Sequence, residues 1–490
     1  MTRDHRNFSP ADPPQGPPPE GGGATFPQNE EEARKRRKLI LVTAICSNIF
    51  GNISFTGVNI AAPALERSLG LSAVQIGWLL LSCLLAMAAF SAPVARLSEI
   101  WGRRKLSVWG MWIAIIGSAG SALAQGATFL LITRAVTGIG LVTFFTTVTT
   151  MVAEAYPKEE RGKVLGLVIG SVYVSLSVGP LVAGFLVEHW GWEALFWFSS
   201  LSLLPPLALL YRVKGEDSRA AGEKMNIAAF VLWALGIAFA FTGLASIGVF
   251  WALPALVGGA VLIVGFLWVN SGSSSPLLDM SLFTGSRRFS FSSLAAYISY
   301  LGSFSITPLL SLYFQYSKGF SPALTGVLLV AQPLVQAAIT PYSGKLSDRH
   351  DAGKLSALGL AVILAGIVLL AVFLGEETPI ALIIVAMSLC GAGFALFGAP
   401  NSNAIMSSVP PRRIGQASGV ITVTRLTGQI TSIAVTTLIF SKVIGSGEVT
   451  PELYPLFIDA ARILFAIFAP LCLIGVFASL SGGQKTKERP

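Results

Sequence analysis

Long apolar segments, separated by short polar loops, make up most of this chain. Fourteen of them approach the roughly 20 apolar residues that a helix needs to cross the hydrocarbon core of a bilayer. They are residues 39–62, 75–95, 106–124, 129–153, 164–187, 194–211, 227–250, 252–269, 291–313, 324–341, 356–374, 379–397, 418–443 and 456–480. The pattern predicts an all-α membrane protein with about fourteen spanning helices. Only a tight turn at Phe250 and Trp251 separates the seventh from the eighth.

The composition agrees with this pattern. Hydrophobic residues make up 53% of the chain and charged residues only 12%. In a typical soluble protein, about a quarter of all residues are charged. The net charge of +9 alone would allow a nucleic-acid partner, but such a protein gathers its basic residues on one folded face. Here they lie in short runs between apolar segments, so we expect a lipid bilayer as the partner and no nucleic acid.

The basic residues also predict the orientation in the membrane. With the N-terminus inside, about 28 of the 34 Lys and Arg residues fall in cytoplasmic segments and about 3 in external ones, namely Arg67, Lys318 and Lys442. Residues 1–33 are rich in Pro, Gly and acidic residues and have no apolar period, which predicts a disordered tail. We therefore expect a multi-pass protein of the cytoplasmic membrane with both termini in the cytoplasm.

The two halves of the chain repeat one another. Residues 95–105 follow the second helix, and residues 344–349 follow the tenth; each loop contains a basic residue, then Leu-Ser, then an acid. This repeat predicts a six-helix bundle at 34–213, an inserted helix hairpin with its linker at 214–270, a cytoplasmic loop at 271–289, a second six-helix bundle at 290–482 and a tail at 483–490. Two similar halves around a shared site are typical of transporters.

These loops and three motifs resemble those of the major facilitator superfamily, in particular its fourteen-helix drug:proton antiporter branch. The resemblance covers the whole membrane portion and implies a major-facilitator-type fold. The two repeated loops resemble the superfamily's cytoplasmic signature, which implies that they form a gate on the cytoplasmic side. The predicted gate residues are Glu99, Gly102, Arg103, Arg104, Asp348 and Arg349. Charged hydrogen bonds from these groups can hold the two halves together. The alternative is that the basic residues only set the topology.

Two motifs lie inside helices. In the fifth helix, Gly179, Pro180 and Gly184 resemble the antiporter signature of the export branches, which favours export over uptake. In the fourth helix, Arg134 stands where the family has an intramembrane arginine, and the resemblance implies a role in proton relay. An arginine at membrane depth is costly and normally has a functional role.

The first helix departs from the resembling branch, because Ser54 stands where that branch has an acid. A serine cannot carry a proton at physiological pH, so proton coupling would need another group. The candidates are Arg134, Glu154 and Asp459. Glu154 can equally be a solvated helix end, and Asp459 can form an ion pair with Arg462 one helical turn away.

Polar residues at helical spacing predict the walls of a substrate cavity. The candidates on the first, ninth, tenth and thirteenth helices are Asn52, Thr56, Asn59, Tyr297, Tyr300, Gln315, Gln332, Gln336, Arg425 and Gln429. The aromatic face of the ninth helix can receive a flat or cationic ligand. The alternative is that each of these rows of polar residues forms hydrogen bonds with a neighbouring helix and does not contact substrate.

The predicted function is secondary active export of small amphiphilic or drug-like compounds, coupled to protons, by a monomer that alternates access to one site. The alternative is a facilitator or importer of an organic anion or another small metabolite. An enzyme is not expected, because the three histidines are scattered and the four cysteines lie unpaired in apolar segments. For the same reason we expect no metal and no cofactor.

Overall fold

The computed structural model describes residues 30–213, 225–273, 276–278, 280–347, 349–410, 413–445 and 451–482. Seventeen α-helices follow one another along these residues. They are α1 (Glu30–Leu69), α2 (Ala73–Trp101), α3 (Arg103–Ala122), α4 (Ala127–Ala155), α5 (Lys158–Leu201), α6 (Leu204–Arg212), α7 (Ile227–Ala245), α8 (Ala252–Ser271), α9 (Ser281–Gly285), α10 (Arg287–Ser303), α11 (Ile306–Leu312), α12 (Pro322–Leu329), α13 (Ala331–Ser347), α14 (Ala352–Phe373), α15 (Ile380–Ser407), α16 (Ile414–Val443) and α17 (Tyr454–Ser481). A π-helical turn, Tyr313–Ser317, extends α11.

Twelve helical stretches of the described chain are long and apolar enough to cross a membrane. The fourteen predicted segments map onto them with two differences. Helix α3 has 20 residues but begins with Arg103-Arg104-Lys105 and is not among the twelve. The stretch from Val164 to Arg212 has 49 residues, about 70 Å of helix, and contains Gly191 with a non-helical φ of 81°. All fourteen segments are thus helical; that each crosses the bilayer stays a prediction.

The ninth and tenth predicted segments are broken in the middle, which the apolar pattern did not indicate. The break between α10 and α11 lies at Phe304, four residues before Pro308, and the break between α12 and α13 follows Leu329, four residues before Pro333. A proline removes one helical hydrogen bond and clashes with the carbonyl group four residues earlier. The stretches Arg287–Ser317 and Pro322–Ser347 are therefore each interrupted near a proline and divided into an inner and an outer part.

Two boundaries differ from the prediction. Helix α1 begins at Glu30, inside the stretch predicted to be a disordered tail, because acidic residues in a first turn interact favourably with the helix dipole and Glu31 pairs with Lys35 at 2.8 Å. Helix α7 ends at Ala245, before the predicted Phe250, because Gly248 adopts a φ of 117° in the turn. The tail residues before Glu30 and after Gly482 lie outside the described residues.

The helices pack as two six-helix bundles with a hairpin between them, which confirms the predicted fold class. In the first bundle α1 packs on α5, and α4 packs on both α2 and α3; in the second α10 packs on α16, and α15 packs on both α13 and α14. The hairpin α7–α8 contacts the bundles through α7, on α2 and α16. The exact domain limits stay a prediction.

The two bundles meet in a matching way on both sides of the centre. Helix α2 packs on α16, and α5 packs on α12 and α13; each pair joins the second segment of one half to the fifth segment of the other. Helix α1 also contacts α11. The contacts between the halves thus involve α1, α2 and α5 of the first bundle and α11, α12, α13 and α16 of the second.

Candidate functional site

On the predicted external face, the bundles touch backbone to backbone where α5 crosses α12. A Cβ atom on Gly184 would lie 2.4 Å from the carbonyl oxygen of Pro322, and one on Gly326 would lie 2.3 Å from the carbonyl oxygen of Pro180. Only glycine leaves room for such an approach. Gly184 and Pro180, predicted as part of the helix-five motif, thus form the outer crossing of the halves. Gly179, the third motif residue, faces Thr56 of α1 instead.

Hydrogen bonds join the halves at the same end, between α1 and the extended α11. The Ser311 hydroxyl donates to the carbonyl oxygen of Asn59 at 2.7 Å, and the Gln315 amide donates to that of Ile60 at 3.1 Å. The Tyr316 hydroxyl donates to the carboxylate of Glu66 at 3.4 Å. We call these contacts and the α5–α12 crossing the outer seal. Gln315, predicted as a substrate contact, lies in this seal.

The inner ends of the same helices are uncovered. A Cβ atom on Gly166 or Gly170 of α5, on Gly344 of α13 or on Gly419 of α16 would meet no atom within 4 Å in the described structure. Helix α5 therefore makes backbone contact with the other half at its outer end and has open space beside its inner end. Open space therefore lies beside the inner ends of α5, α13 and α16, on the predicted cytoplasmic side.

Arg425 is a cation at membrane depth. It lies about 16 Å along α16 from Ile414, near the middle of a bilayer about 30 Å thick, and yet its side chain is exposed. Gly428, one turn further along α16, packs against Tyr300 of α10: a Cβ atom on Gly428 would lie 3.0 Å from the Cβ atom of Tyr300. Arg425 and Tyr300, both predicted as substrate contacts, thus lie on adjoining helices about one turn apart, and Tyr173 of the other half lies within electrostatic range of Tyr300.

Aromatic rings surround this point. Tyr300 packs on Phe394 of α15 with ring centroids 5.9 Å apart, and Phe55 of α1 packs on Phe304 with centroids 6.3 Å apart. Tyr297 shares a hydrogen bond of 2.9 Å with Thr431 of α16. We define the central cluster as Tyr173, Tyr300, Phe394 and Arg425. Tyr173 and Phe394 were missed in the sequence, because nothing in a single segment indicates which rings face the other half.

Two of the polar side chains predicted on α1 form hydrogen bonds with backbone carbonyl groups of the same helix. The Asn52 amide donates to the carbonyl oxygen of Asn48, and the Thr56 hydroxyl donates to that of Asn52, both at 2.8 Å. All three side chains named in the prediction, Asn52, Thr56 and Asn59, are half-buried. Their contact with a substrate stays a prediction.

The remaining predicted glutamines lie on α13 and α16. Gln332 is buried, and its backbone packs against Gly391 of α15. Gln336 and Gln429 are half-buried. Among the described residues, the side-chain oxygen of Gln332 has no hydrogen-bond partner, so it needs water or a ligand. Substrate contact by these three residues also stays a prediction.

The gate residues of the first loop have partners within the first bundle. Arg103 forms an ion pair with Glu154, Arg96 pairs with Glu99 at 2.6 Å, and Arg104 donates to the carbonyl oxygens of Leu210 and Tyr211 at the end of α6. Cations at a helix C-terminus are favoured by the helix dipole. Gly102 connects α2 to α3 with a φ of 92°, which favours glycine.

In the second loop, Arg349 follows the end of α13, and Asp348 lies outside the described residues. A bridge between the two halves through this loop therefore stays a prediction.

The predicted proton-coupling residues lie in different surroundings. Arg134 is 1% exposed, its guanidinium lies 5.8 Å from the ring of Phe196, and its Nε and Nη1 have no hydrogen-bond partner in the described structure. Asp459 is exposed near the outer end of α17. Arg462 is exposed as well, and the described structure shows no ion pair between it and Asp459. Glu66, a buried acid at the outer seal, was missed because it follows the predicted end of the first helix.

The comparisons with known proteins agree with this architecture. The family model of the Major Facilitator Superfamily matches residues 44–296 and 292–489. The multidrug resistance protein Stp of Mycobacterium tuberculosis is 28% identical over 77% of this chain and 71% of its own length. The riboflavin transporter RibZ of Clostridioides difficile is 23% identical over 92% and 98%. The partially occluded inward-open xylose transporter XylE of E. coli has the same fold, with a TM-score of 0.63 and 14% identity over 93% of this chain and all of its own.

Proposed function

Because the chain belongs to the Major Facilitator Superfamily, and is therefore a transporter rather than an enzyme, we propose that it exports small amphiphilic compounds across the cytoplasmic membrane in exchange for protons. One site between the two bundles would be exposed alternately to the two sides. The substrate would bind from the cytoplasm, and the proton gradient would drive its release outside.

One observation carries this proposal: the space between the halves is sealed at one end and open at the other. At the outer end, Gly184 contacts the backbone of Pro322 and Gly326 contacts the backbone of Pro180. At the inner end, Gly166, Gly170 and Gly344 have open space beside them. A channel would need a continuous pore. Access from one side only is what a carrier needs in its inward-facing state.

The direction of transport rests on the helix-five motif and the relatives. Gly184 and Pro180 take part in the outer crossing, at the position that resembles the antiporter signature. One relative is a multidrug resistance protein, which supports export of compounds foreign to the cell. Saturable efflux of dyes from cells lacking their own exporters is the expected result, and an ionophore that collapses the proton gradient should abolish it.

Proton coupling has its best-placed acid in Glu154, which pairs with Arg103 at the inner end of α4. Protonation of Glu154 would break its ion pair with Arg103, which is 4% exposed. We expect Glu154→Gln to reduce the substrate accumulation that an imposed pH gradient drives by about tenfold, or about 1.4 kcal/mol, because a glutamine cannot take up or release a proton. Downhill exchange should change little.

The matched control for this variant is Glu99→Gln, which also removes an acid paired with an arginine in the same loop, but a more exposed one. We expect a smaller effect, because exposed ion pairs contribute little. Full pH-driven accumulation by Glu154→Gln would remove Glu154 from the coupling mechanism.

The second candidate function is a facilitator or importer of a small metabolite. A riboflavin transporter among the relatives supports it. Uptake of a labelled substrate down its gradient, unaffected by an ionophore and without efflux in the dye assay, would favour this alternative.

A further inference from the structure

We propose that the central cluster binds the transported compound as a planar aromatic anion, with Arg425 holding its acidic group and the rings of Tyr300, Phe394 and Tyr173 holding its flat face. This inference rests on the proposed transport function and names its substrate class. It follows from the position of the cation, the surrounding rings and the distribution of acids.

Arg425 supplies a positive charge at membrane depth. It is exposed near the middle of α16, one turn before Gly428, which packs against Tyr300 of α10. Phe304, one turn after Tyr300, packs on Phe55 of the first bundle with ring centroids 6.3 Å apart, so this side of α10 faces the other half and not the lipid. A guanidinium at membrane depth needs water or an anionic partner. In the described structure Arg425 forms no ion pair with a carboxylate.

No acidic residue of the described structure lies at the depth of Arg425. Among the described residues, each Asp and Glu lies in a loop or within about two turns of a helix end or of the break at Gly191. A cationic ligand at the level of Arg425 would therefore meet a positive charge and no negative one. An anion would replace the water around the guanidinium and gain charge-assisted hydrogen bonds, two of them if it is a carboxylate or sulfonate.

The aromatic rings around the proposed site favour a flat ligand. The rings of Tyr300 and Phe394 lie 5.9 Å apart at an interplanar angle of 49°, and those of Phe55 and Phe304 lie 6.3 Å apart at 32°. The second pair joins α1 to the junction of α10 and α11, so it spans the two bundles. Offset or edge contacts with such rings favour a flat aromatic ligand over an aliphatic one. Arg425 can stack on the same ligand through its planar guanidinium.

The test uses two fluorescent xanthene dyes with the same ring system, carboxyfluorescein as the anion and a rhodamine as the cation. Purified protein is titrated with each dye, and efflux of each is measured from proteoliposomes. We expect the anion to bind at least tenfold more tightly than the cation. Arg425→Gln should raise the Kd of the anion at least tenfold and leave that of the cation equal or lower. Arg425→Lys should fall between them, because it keeps the charge but not the fork.

Two further variants keep the result interpretable. Tyr300→Leu should weaken the binding of both dyes, because it removes a stacking surface and no charge. Arg462→Gln removes an exposed arginine of α17 outside the cluster and should change neither Kd. The melting temperature of each purified variant shows that it is folded.

The outcomes separate this inference from the proposed function. Efflux of the cation in preference to the anion, with a ratio that Arg425→Gln does not alter, overturns the substrate class and leaves export in place. Tight binding of the anion without saturable movement supports the site and overturns export. Neither binding nor movement of either dye overturns both.

Discussion

Replacing Gly184 by alanine is expected to reduce transport at least tenfold and to open the outer seal. The new methyl carbon would lie 2.4 Å from the carbonyl oxygen of Pro322, a backbone atom that cannot move without shifting α12. Overpacking of this kind costs about 1–3 kcal/mol, and 1.4 kcal/mol changes an equilibrium tenfold. The cost falls on the outward-closed state, so the carrier should spend more time open to the outside.

The measurement combines substrate efflux with labelling of Gln315→Cys, a seal position, by a maleimide that does not cross membranes. Three of the four native cysteines are buried and Cys46 is half-buried, so they are replaced to remove background labelling. Gly166→Ala is the matched control, because it makes the same change on the same helix where no atom lies within 4 Å. Equal efflux and equal external labelling in the two variants would show that the α5–α12 crossing does not control access.

Replacing Arg134 by methionine is expected to stabilise the protein and to reduce strongly the substrate accumulation that a proton gradient drives. Arg134 is 1% exposed, and two of its nitrogen atoms have no hydrogen-bond partner in the described structure. Each unsatisfied buried donor costs about 1–3 kcal/mol, and a methionine fills the space without this cost. We expect the melting temperature to rise by roughly 2 °C or more and coupled accumulation to fall at least tenfold.

Arg462→Met is the control, since Arg462 is exposed on α17, and it should change neither quantity. A lower melting temperature for Arg134→Met would mean that Arg134 stabilises the first bundle through its contact with Phe196. Unchanged accumulation would mean that Arg134 takes no part in coupling. Either result would contradict the functional interpretation of this buried charge.

Most of the fold could be predicted from the apolar pattern, because hydrocarbon imposes helices of a narrow length range. The fourteen segments and the two bundles follow from it. The breaks at Phe304 and Val330 were missed, although Pro308 and Pro333 are the local signals for them. They separate off α11 and α12, the parts that contact α1 and α5 at the outer end.

The candidate site was less predictable. Helical spacing indicates which side chains share a face, but it does not indicate which face meets the other half. Tyr300 and Arg425 lie on adjoining helices near the centre, whereas Gln315 from the same prediction lies in the outer seal. Phe394 enters the cluster through its ring contact with Tyr300, which joins two distant segments. Glu66 lies beyond the apolar segment and becomes buried only when α11 covers it.

The most direct test of alternating access is counterflow in proteoliposomes that contain only this protein and lipid. Vesicles loaded with unlabelled carboxyfluorescein analogue are diluted into a trace of the fluorescent dye, with and without an imposed pH gradient. The account predicts transient, saturable accumulation of the dye, which the pH gradient enhances in one direction and which Gly184→Ala removes. Dye movement that rises linearly with concentration, shows no counterflow and ignores the pH gradient would contradict it.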